Sequence, residues 1–316
     1  MRETLVIGAS AAGLSAAIYL ARRGIDFTVV AKDIGGEMAL SGEVGNYPGL
    51  TTTNGIELSR KMREHALAYQ VTIEEDVEAT GLTQITNGFR LEAKVSGSPK
   101  SYEAKTILIT TGAHPKKLRL LGEDTFYHKG VTYCTVCDGP LFAGKSVAIV
   151  GGGNSALEAG LMMAALSPKV YIVTKNPAMK GDTILSRELF SKPNVEFVPN
   201  ALTQEISGDQ FVRGLRYLDT SSNQLRELAV EGVFIHIGLK PNTDWLSAEL
   251  GITTAFGEIT VNKLCQTSVP GLFAAGDVTD IPYKQIGVAV GQGITAALSL
   301  ISYLNTRSPR ETVTQS

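Results

Sequence analysis

The sequence has little cysteine and no excess of basic charge. It contains three cysteines, Cys134, Cys137 and Cys265, which are too few and too unevenly spaced for the disulfide framework of a small secreted domain. Lysine and arginine number 29, aspartate and glutamate number 31, and no basic run occurs. Nucleic-acid-binding domains usually carry clustered basic residues, so no nucleic-acid partner is predicted, and the sparse cysteines favour a reducing, cytoplasmic location.

Long uncharged runs are also scarce. The main candidate, residues 5–21, follows Arg2 and superficially resembles the apolar core of a signal peptide. At about 17 residues it is short for a membrane-spanning helix. The spacing of its glycines and serines is better explained by the motif described next. The sequence therefore predicts no membrane segment, with a signal peptide as the alternative.

Glycine is the residue in excess, and its clusters mark an internal repeat. There are 33 glycines, roughly a tenth of the chain against a usual level of about 7%. Residues 5–14 (LVIGASAAGL) are echoed by residues 148–157 (AIVGGGNSAL). Each copy runs from an apolar strand through a small-residue turn into an alanine-rich stretch, and a second strand follows. The repeat predicts two βαβ units.

Both turns of the repeat approximate the G-x-G-x-x-G fingerprint of dinucleotide-binding domains. In that fingerprint the glycines permit a tight turn and a close approach to the pyrophosphate, and the helix N-terminus supplies free N–H groups. The matching residues are Gly151, Gly153 and Ala156 in the second copy and Gly8, Ser10 and Gly13 in the first. Two copies in one context predict two dinucleotide sites, with a plain strand-to-helix turn as the alternative for each.

The end of the second strand of each unit bears on cofactor preference. An acidic residue there binds a ribose 2'-hydroxyl, and a basic residue binds a 2'-phosphate. The first copy offers Lys32 and Asp33, and the second offers Thr174, Lys175 and, further on, Lys180. The absence of an acid at Thr174 argues against NADH, although lysine recognises phosphate less specifically than arginine. An ordinary solvated surface also explains these lysines, so NADPH and NADH both stay open.

Two joints that contain glycine and proline flank the second unit, at residues 111–115 and 237–242. We therefore predict an α/β fold with two Rossmann-like dinucleotide-binding domains, the second inserted in the first and each with added β-strands. The predicted domains are 1–114 with 242–316, and 115–241. The predicted added strands are 89–95 and 102–110 in the first domain, and 211–218 and 225–237 in the second.

The segment Cys134-Thr135-Val136-Cys137-Asp138 predicts redox chemistry. A C-x-x-C spacing at a turn lets two sulfurs form a disulfide, and Asp138 could give a proton to a leaving thiolate. The alternatives are an inert buried pair of cysteines and, for Asp138, an ordinary turn aspartate. Half of a zinc site would need two further ligands, and only Cys265 and four scattered histidines remain, so no metal site is predicted.

Together these motifs resemble the low-molecular-weight thioredoxin reductases. The motifs that match are Gly8-x-Ser10-x-x-Gly13, Gly35-Gly36-Glu37-Met38, Asn46-Tyr47-Pro48-Gly49, Thr111-Gly112-Ala113, the redox pentapeptide, Gly151 to Ala156, and Phe273 to Val278. Residues 129–134, 137–142 and 282–285 look even closer to the C-terminal part of the flavoprotein component of alkyl hydroperoxide reductase. That flavoprotein has an extra N-terminal thioredoxin-like module, and no such module is recognised in this sequence, so an external carrier is expected.

The resemblance implies an enzyme in which electrons pass from NADPH or NADH through FAD to the cysteine pair. From there they would pass to the disulfide of a thioredoxin-like protein. It further implies a homodimer, with Cys137 attacking the partner, Cys134 resolving the mixed disulfide and Asp138 as general acid. The expected FAD-domain contacts are Gly8, Ser10, Ala12, Gly13, Lys32, Gly35, Gly36, Glu37, Met38, Asn46, Thr111, Gly112, Gly276, Asp277, Lys284, Gln285 and Ile286. The expected nicotinamide-nucleotide contacts are Gly151, Gly153, Asn154, Ser155, Ala156, Lys175 and Lys180.

Three positions depart from the family pattern. The NADPH motif His-Arg-Arg followed by a further Arg is here Thr174-Lys175-Asn176 with Lys180; Gly-Gly-Gln ends in Glu37; and Pro-Gly-Glu is Leu121-Gly122-Glu123. The first departure supports the alternative of a related flavin enzyme that takes electrons from ferredoxin or another flavin. A third possibility is a nucleotide-binding redox sensor without turnover.

Overall fold

The structure is a computed structural model that describes residues 1–41 and 43–307. The chain divides into two compact units, residues 1–114 together with those from 240 onward, and residues 115–239. The two segments that connect the units, Ala113–Pro115 and Leu239–Pro241, pair as short strands. The chain thus leaves the first unit and returns to it through neighbouring strands.

The secondary structure follows in chain order. Residues 1–115 contain β1 (Arg2–Ala9), α1 (Ala11–Arg22), β2 (Phe27–Ile34), α2 (Gly36–Leu40), β3 (Glu43–Val44), β4 (Thr53–Asn54), α3 (Gly55–Ala68), β5 (Ile73–Glu74), β6 (Val77–Ile85), β7 (Gly88–Val95), β8 (Ser98–Ile109) and β9 (Ala113–Pro115). The inserted unit contains β10 (Val131–Thr132), α4 (Thr135–Asp138), a 3-10 helix (Gly139–Phe142), β11 (Val147–Val150), α5 (Asn154–Ala164), β12 (Val170–Val173), α6 (Thr183–Phe190), β13 (Val195–Val198), β14 (Ala201–Gly208), β15 (Val212–Asp219), β16 (Gln224–Ala229) and β17 (Gly232–Ile235). The remainder contains β18 (Leu239–Pro241), a 3-10 helix (Ala248–Leu250), β19 (Leu272–Ala274) and α7 (Ile286–Arg307).

The first unit is built on a sheet in the order β5-β2-β1-β8-β7-β6, and β19 also pairs with β8. Strands β5, β2, β1, β8 and β19 are parallel, and β6 and β7 continue the sheet in antiparallel fashion. Leu5, Val6 and Ile7 of β1 are all buried, as expected of a parallel strand with both faces covered. The predicted strand pair 89–95 and 102–110 is confirmed as β7 and β8.

The inserted unit has a parallel sheet in the order β10-β17-β11-β12-β13 and a separate antiparallel sheet, β14-β15-β16. The sequence prediction of a single strand over 225–237 was wrong, because this segment is divided between the two sheets. Its first part pairs with β15 as β16, whereas its second part pairs with β10 and β11 as β17. The change of sheet occurs where the N–H of Val230 donates to Arg213 O and that of Glu231 donates to Ser146 O. The predicted α/β class is confirmed.

Helix α7 corrects the expectation that no segment could span a membrane. By length and composition alone, residues 286–306 are long and apolar enough to do so. The helix packs against α1 so closely that a Cβ added at Gly293 would lie 2.2 Å from the carbonyl oxygen of Ala12. Ala296, Ala297 and Leu300 are buried in the same core. The apolar composition of α7 therefore has an explanation in the packing of the first unit.

Candidate active site

In both units several of the predicted site residues lie where parallel strands end. In the first unit, Gly8 lies at the end of β1, Gly35 follows β2, Thr111 follows β8 and Gly276 follows β19. Because these strands are parallel, their carboxyl ends share one edge of the sheet. Open α/β sheets bind ligands at this edge. The topology therefore brings together segments that are far apart in the sequence.

The first glycine turn joins β1 to α1. A Cβ added at Gly8 would lie 2.3 Å from Thr110 O, and one added at Gly13 would lie 2.0 Å from Gly8 O, so packing within the chain requires both glycines. Ser10 stands at the N-cap, but its hydroxyl donates to Gly35 O and does not cap the helix. The first N–H groups of α1 therefore lack a side-chain cap, which suits an anionic group such as a pyrophosphate.

Asp277 is a second feature of this edge that fits a nucleotide cofactor. Its Oδ1 atom is buried and has no hydrogen-bond partner among the described residues. Burial raises the pKa of Asp277 to about 6, with nearby Lys284 opposing the rise and Glu37 adding to it. Buried acceptors are normally satisfied, so this oxygen is suited to accept a hydrogen bond from a hydroxyl of a bound molecule.

Other residues predicted to contact FAD lie on segments of the first unit that touch one another. The side chain of Asn46 donates to Gln285 Oε1 over 3.1 Å, just before α7 begins at Ile286. A Cβ added at Gly276 would lie 3.0 Å from Cβ of Ala12, so the turn after β19 meets α1. Gly35, with φ of 95°, is the N-cap of α2, and the helix begins with Gly36, exposed Glu37 and buried Met38.

Three predicted residues in this unit have partners within the chain. Lys32 forms an exposed ion pair with Glu78 at 3.0 Å. The hydroxyl of Thr111 donates to Asn242 O over 2.9 Å, beside Gly112, which has a φ of 70°. Lys284 contacts Glu258 Oε1 at 3.2 Å and also donates to the carbonyl oxygen of Thr279. Whether these residues also contact a cofactor stays a prediction.

The second glycine turn joins β11 to α5. A Cβ added at Gly151 would lie 2.3 Å from His236 O, whereas one added at Gly153 would meet no atom within 4 Å. Gly153 is the N-cap of α5 with an ordinary φ of -111° and no capping side chain. Nothing in the described chain thus requires glycine at 153, as expected where a ligand approaches the backbone. Asn154, Ser155 and Ala156 form the first turn of α5.

The cysteine pair lies at the same edge of the inserted sheet as this turn, because β10, β17 and β11 are parallel neighbours. Cys134 and Cys137 are joined by a disulfide with Cα atoms 5.3 Å apart, as predicted. Cys134 Sγ accepts a hydrogen bond from Cys137 N at 3.2 Å. No cluster of three or more metal-ligating side chains occurs in the described part of the chain. Cys265 is buried elsewhere, and burial raises the pKa of its thiol to about 11.

Asp138 is connected to this pair through Thr132. The Thr132 hydroxyl donates to Asp138 Oδ2 and accepts from Cys134 N at 3.2 Å. Burial raises the pKa of Asp138 above its ordinary value, although the Thr132 hydrogen bond and the nearby charge of His128 act in the opposite direction. A carboxyl that keeps its proton to higher pH is suited to protonate a thiolate.

We expect the pH dependence of disulfide reduction to follow Asp138. Its raised pKa keeps the acid protonated at low pH, so the rate should fall as pH rises through that pKa. Replacing Thr132 with valine removes a hydrogen bond that favours the carboxylate, which should move the fall to higher pH. Asp138→Asn should remove the fall and lower the rate by about a hundredfold or more. The test is to measure the rate of disulfide reduction as a function of pH in the unchanged protein and in both variants. A pH profile that is the same in Thr132→Val and Asp138→Asn as in the unchanged protein would contradict this role of Asp138.

Two residues that support the cysteine turn, Glu123 and Tyr133, were not predicted from the sequence as part of the site. Glu123, noted only as part of a departure from the family pattern, is 1% exposed. Its carboxylate accepts from the N–H groups of Leu118, Arg119 and Leu120 and from the Tyr133 hydroxyl, the last at 2.8 Å. Tyr133 immediately precedes Cys134, so this buried acid anchors the approach to the redox pair. The sequence shows Glu123 only as an acidic residue after Gly122 in a segment without strand or helix pattern. Nothing in that pattern indicates that its side chain is buried.

Comparison with known proteins agrees with this geometry. The profile of the family described as pyridine nucleotide-disulphide oxidoreductase matches residues 2–293. Pseudomonas aeruginosa has an alkyl hydroperoxide reductase subunit that is 41% identical over 303 residues, which cover 96% of this chain and 58% of that protein. A Bacillus subtilis protein named NADH dehydrogenase is 42% identical over 302 residues, with coverages of 96% and 58%. The chain thus spans less than two thirds of these relatives.

Among solved structures, thioredoxin reductase from Streptococcus pyogenes superposes with a TM-score of 0.89 and 32% sequence identity, covering 97% of this chain and 99% of that one. The likeness extends over both units and includes the two dinucleotide-binding domains predicted from the repeat. The matched family comprises disulfide oxidoreductases that use flavin and pyridine nucleotides. The chain therefore belongs to the pyridine nucleotide-disulphide oxidoreductase family and has the fold of the low-molecular-weight thioredoxin reductases.

Proposed function

We propose that this protein is an FAD-dependent disulfide reductase that uses NADPH in preference to NADH and reduces a thioredoxin-like protein. The observation that supports this most directly lies within the inserted unit. There the Cys134–Cys137 disulfide and the Gly151–Gly153 turn share one sheet edge. The proposed nucleotide-binding domain is this inserted unit, and the proposed FAD-binding domain is the first unit.

The first unit has the groups needed to hold FAD. The uncapped N–H groups of α1 would bind the pyrophosphate, and Asp277 Oδ1 would accept a hydrogen bond from a ribityl or ribose hydroxyl. Glycines at 8 and 13 keep the turn tight enough for this approach. When bound, the flavin supplies the two-electron chemistry between a nicotinamide and a disulfide.

The residues of the inserted unit then perform the thiol chemistry. Reduction of the Cys134–Cys137 bond consumes two electrons and two protons. Asp138, whose pKa is raised by burial, would protonate the sulfur that leaves. In the second half of the cycle, the Cys137 thiolate attacks a partner disulfide and displaces one partner sulfur as a thiolate. Cys134 then attacks the mixed disulfide, which restores the enzyme disulfide and releases the partner as a dithiol.

The end of β12 supports NADPH as the donor. Thr174 is buried, and its hydroxyl accepts hydrogen bonds from the backbone and side-chain nitrogens of Asn176, both at 3.3 Å. No acid follows the strand at 174–176 to bind a ribose 2'-hydroxyl. Lys175 and Lys180 are exposed and form no ion pair with the rest of the described chain, so both are free to approach a 2'-phosphate.

The proposed partner follows from the exposed surface beside the disulfide, the proposed assembly from the family resemblance, and the proposed location from the cysteine count. Val136 and Leu141, beside the disulfide, are 54% and 51% exposed, and apolar side chains at this position suit contact with a protein. A thioredoxin-like protein is the proposed partner because the pair must react with an accessible disulfide. We propose a homodimer from the resemblance to thioredoxin reductases, and a cytoplasmic location from the few cysteines.

Anaerobic mixing of the flavin-loaded protein with NADPH or NADH tests the donor. We expect rapid loss of flavin absorbance with NADPH and slower loss with NADH. Because a charge-assisted hydrogen bond to phosphate contributes about 1.5 to 3 kcal/mol, replacing both Lys175 and Lys180 with alanine should lower the NADPH rate constant by about tenfold or more. The NADH rate should change little, which makes NADH the matched control.

If neither nucleotide reduces the flavin although dithionite does, the donor part of the proposal is wrong. That result would favour ferredoxin or another flavin as the electron source, as the loss of the arginine pattern at residues 174–176 suggests. Binding of nucleotide without any turnover would instead support a redox sensor.

A further inference from the structure

His236 is held by its backbone next to the second glycine turn. It follows β17 directly, and its N–H donates to Val150 O at 2.8 Å. Its carbonyl oxygen lies so close to Gly151 that an added Cβ there would approach to 2.3 Å. The position of His236 is thus fixed by the same parallel strands that position the nucleotide turn.

The side chain of His236 extends from this position to the cysteine turn. Its Nε2 atom lies 2.6 Å from the hydroxyl oxygen of Thr135, the residue after Cys134. Thr135 is 4% exposed and begins α4. Among the described residues, the Thr135 hydroxyl has no other hydrogen-bond partner. Burial lowers the pKa of His236 to about 4, so this is a hydrogen bond between neutral groups near pH 7.

The hydrogen bond between His236 and Thr135 is present in the structure in which the Cys134–Cys137 disulfide is closed. Reduction breaks the sulfur–sulfur bond, and two thiols cannot remain at bonding distance, so the turn that bears them must relax. A contact that the closed turn makes more strongly than the relaxed turn stabilises the oxidised form relative to the dithiol. Its strength therefore affects the equilibrium between the two forms.

We propose that His236 is a positioning residue that holds the oxidised cysteine turn through Thr135 and thereby lowers the reduction potential of the Cys134–Cys137 pair. The inference rests on the proposed function only in treating this pair as a working redox couple. It adds a residue that connects the redox turn to the strand ends of the nucleotide-binding sheet.

The test is an equilibrium titration of the full flavoprotein in anaerobic buffers of reduced and oxidised dithiothreitol. In the titration, two electrons and two protons pass from the dithiol reagent to the protein disulfide, and alkylated Cys134 and Cys137 are counted by mass spectrometry. Thr135→Val removes the hydroxyl and should shift the equilibrium constant toward the dithiol by about three- to tenfold. A tenfold shift corresponds to about 30 mV for a two-electron couple.

Four further variants sharpen the result. Thr135→Ser restores a hydroxyl and should return the constant toward that of the unchanged protein. His236→Phe should shift it as Thr135→Val does, and the double variant should add nothing further. Thr220→Val removes another hydroxyl hydrogen bond in the same unit, to Asn200 O, and should leave the constant unchanged.

Unchanged constants in Thr135→Val and His236→Phe, with both proteins folded by thermal melting, would overturn the inference. So would an equal shift in Thr220→Val. This measurement uses no nicotinamide, so failure of the proposed function would show itself separately, as a pair that titrates normally but receives no electrons from NADPH.

Discussion

Replacing Cys134 or Cys137 with serine is expected to lower turnover with a protein disulfide by about a thousandfold or more, because neither sulfur alone can complete the exchange. Reduction of the bound flavin by NADPH should continue, since the glycine turns are untouched. Stopped-flow absorbance measures the first half of the cycle, and reduction of a thioredoxin disulfide measures the whole.

The two serine variants should also differ from one another. In Cys134→Ser the proposed attacking thiol, Cys137, remains. A single-cysteine thioredoxin activated as its mixed disulfide with thionitrobenzoate should therefore be captured by Cys137 as a stable mixed disulfide, with thionitrobenzoate released as the leaving thiolate. Capture by Cys137→Ser alone would reverse the assigned order. Cys265→Ala is the control, since Cys265 is buried away from the pair, and it should retain turnover. Full activity in either serine variant would disprove the role of the disulfide.

Gly153→Val is expected to leave the protein folded while lowering the rate of flavin reduction by NADPH by about a hundredfold. A Cβ added at 153 would meet no atom within 4 Å in the described chain, and the φ of -111° suits any residue. The added methyl groups would instead occupy space needed by the pyrophosphate. Loss of two or more charge-assisted hydrogen bonds, each contributing about 1.5 to 3 kcal/mol, accounts for an effect of this size.

The matched control is Gly291→Val, because Gly291 also has open space around it and lies in α7, outside both glycine turns. Thermal melting should show that both variants are folded. Dithionite should reduce the flavin of both at the ordinary rate. An NADPH rate in Gly153→Val equal to that of the control would show that no ligand approaches this turn.

The parts of the fold that could be predicted are those in which a short stretch of sequence is compatible with only one local structure. An apolar run followed by small residues and an alanine-rich stretch occurs twice, and both copies form β-turn-α units, β1 to α1 and β11 to α5. The C-x-x-C pair was also predictable, because its spacing suits a disulfide across one turn. In both cases the partners lie within a few residues of each other.

The features that escaped prediction depend on partners distant in the sequence. The strand prediction over 225–237 failed because an apolar pattern does not reveal that residues 230 and 231 change sheets. His236 and Thr135 are 101 positions apart, and they meet because β10 and β17 are parallel neighbours. A single histidine after a strand has no spacing pattern that would show this. Asp277 was assigned by resemblance, whereas its unpartnered oxygen is visible only in the structure.

The insertion of residues 115–239 has a consequence for synthesis of the chain on the ribosome. Strand β19 and helix α7 complete the sheet and the α1 core of the first unit, but they are made after the whole insert. The strands of the insert, β10 to β17, emerge together, so its core can close while the N-terminal unit still lacks a strand and a helix. We therefore expect nascent chains arrested near residue 280, whose last few tens of residues still lie inside the ribosome, to protect the insert from protease and to leave residues 1–114 open to it.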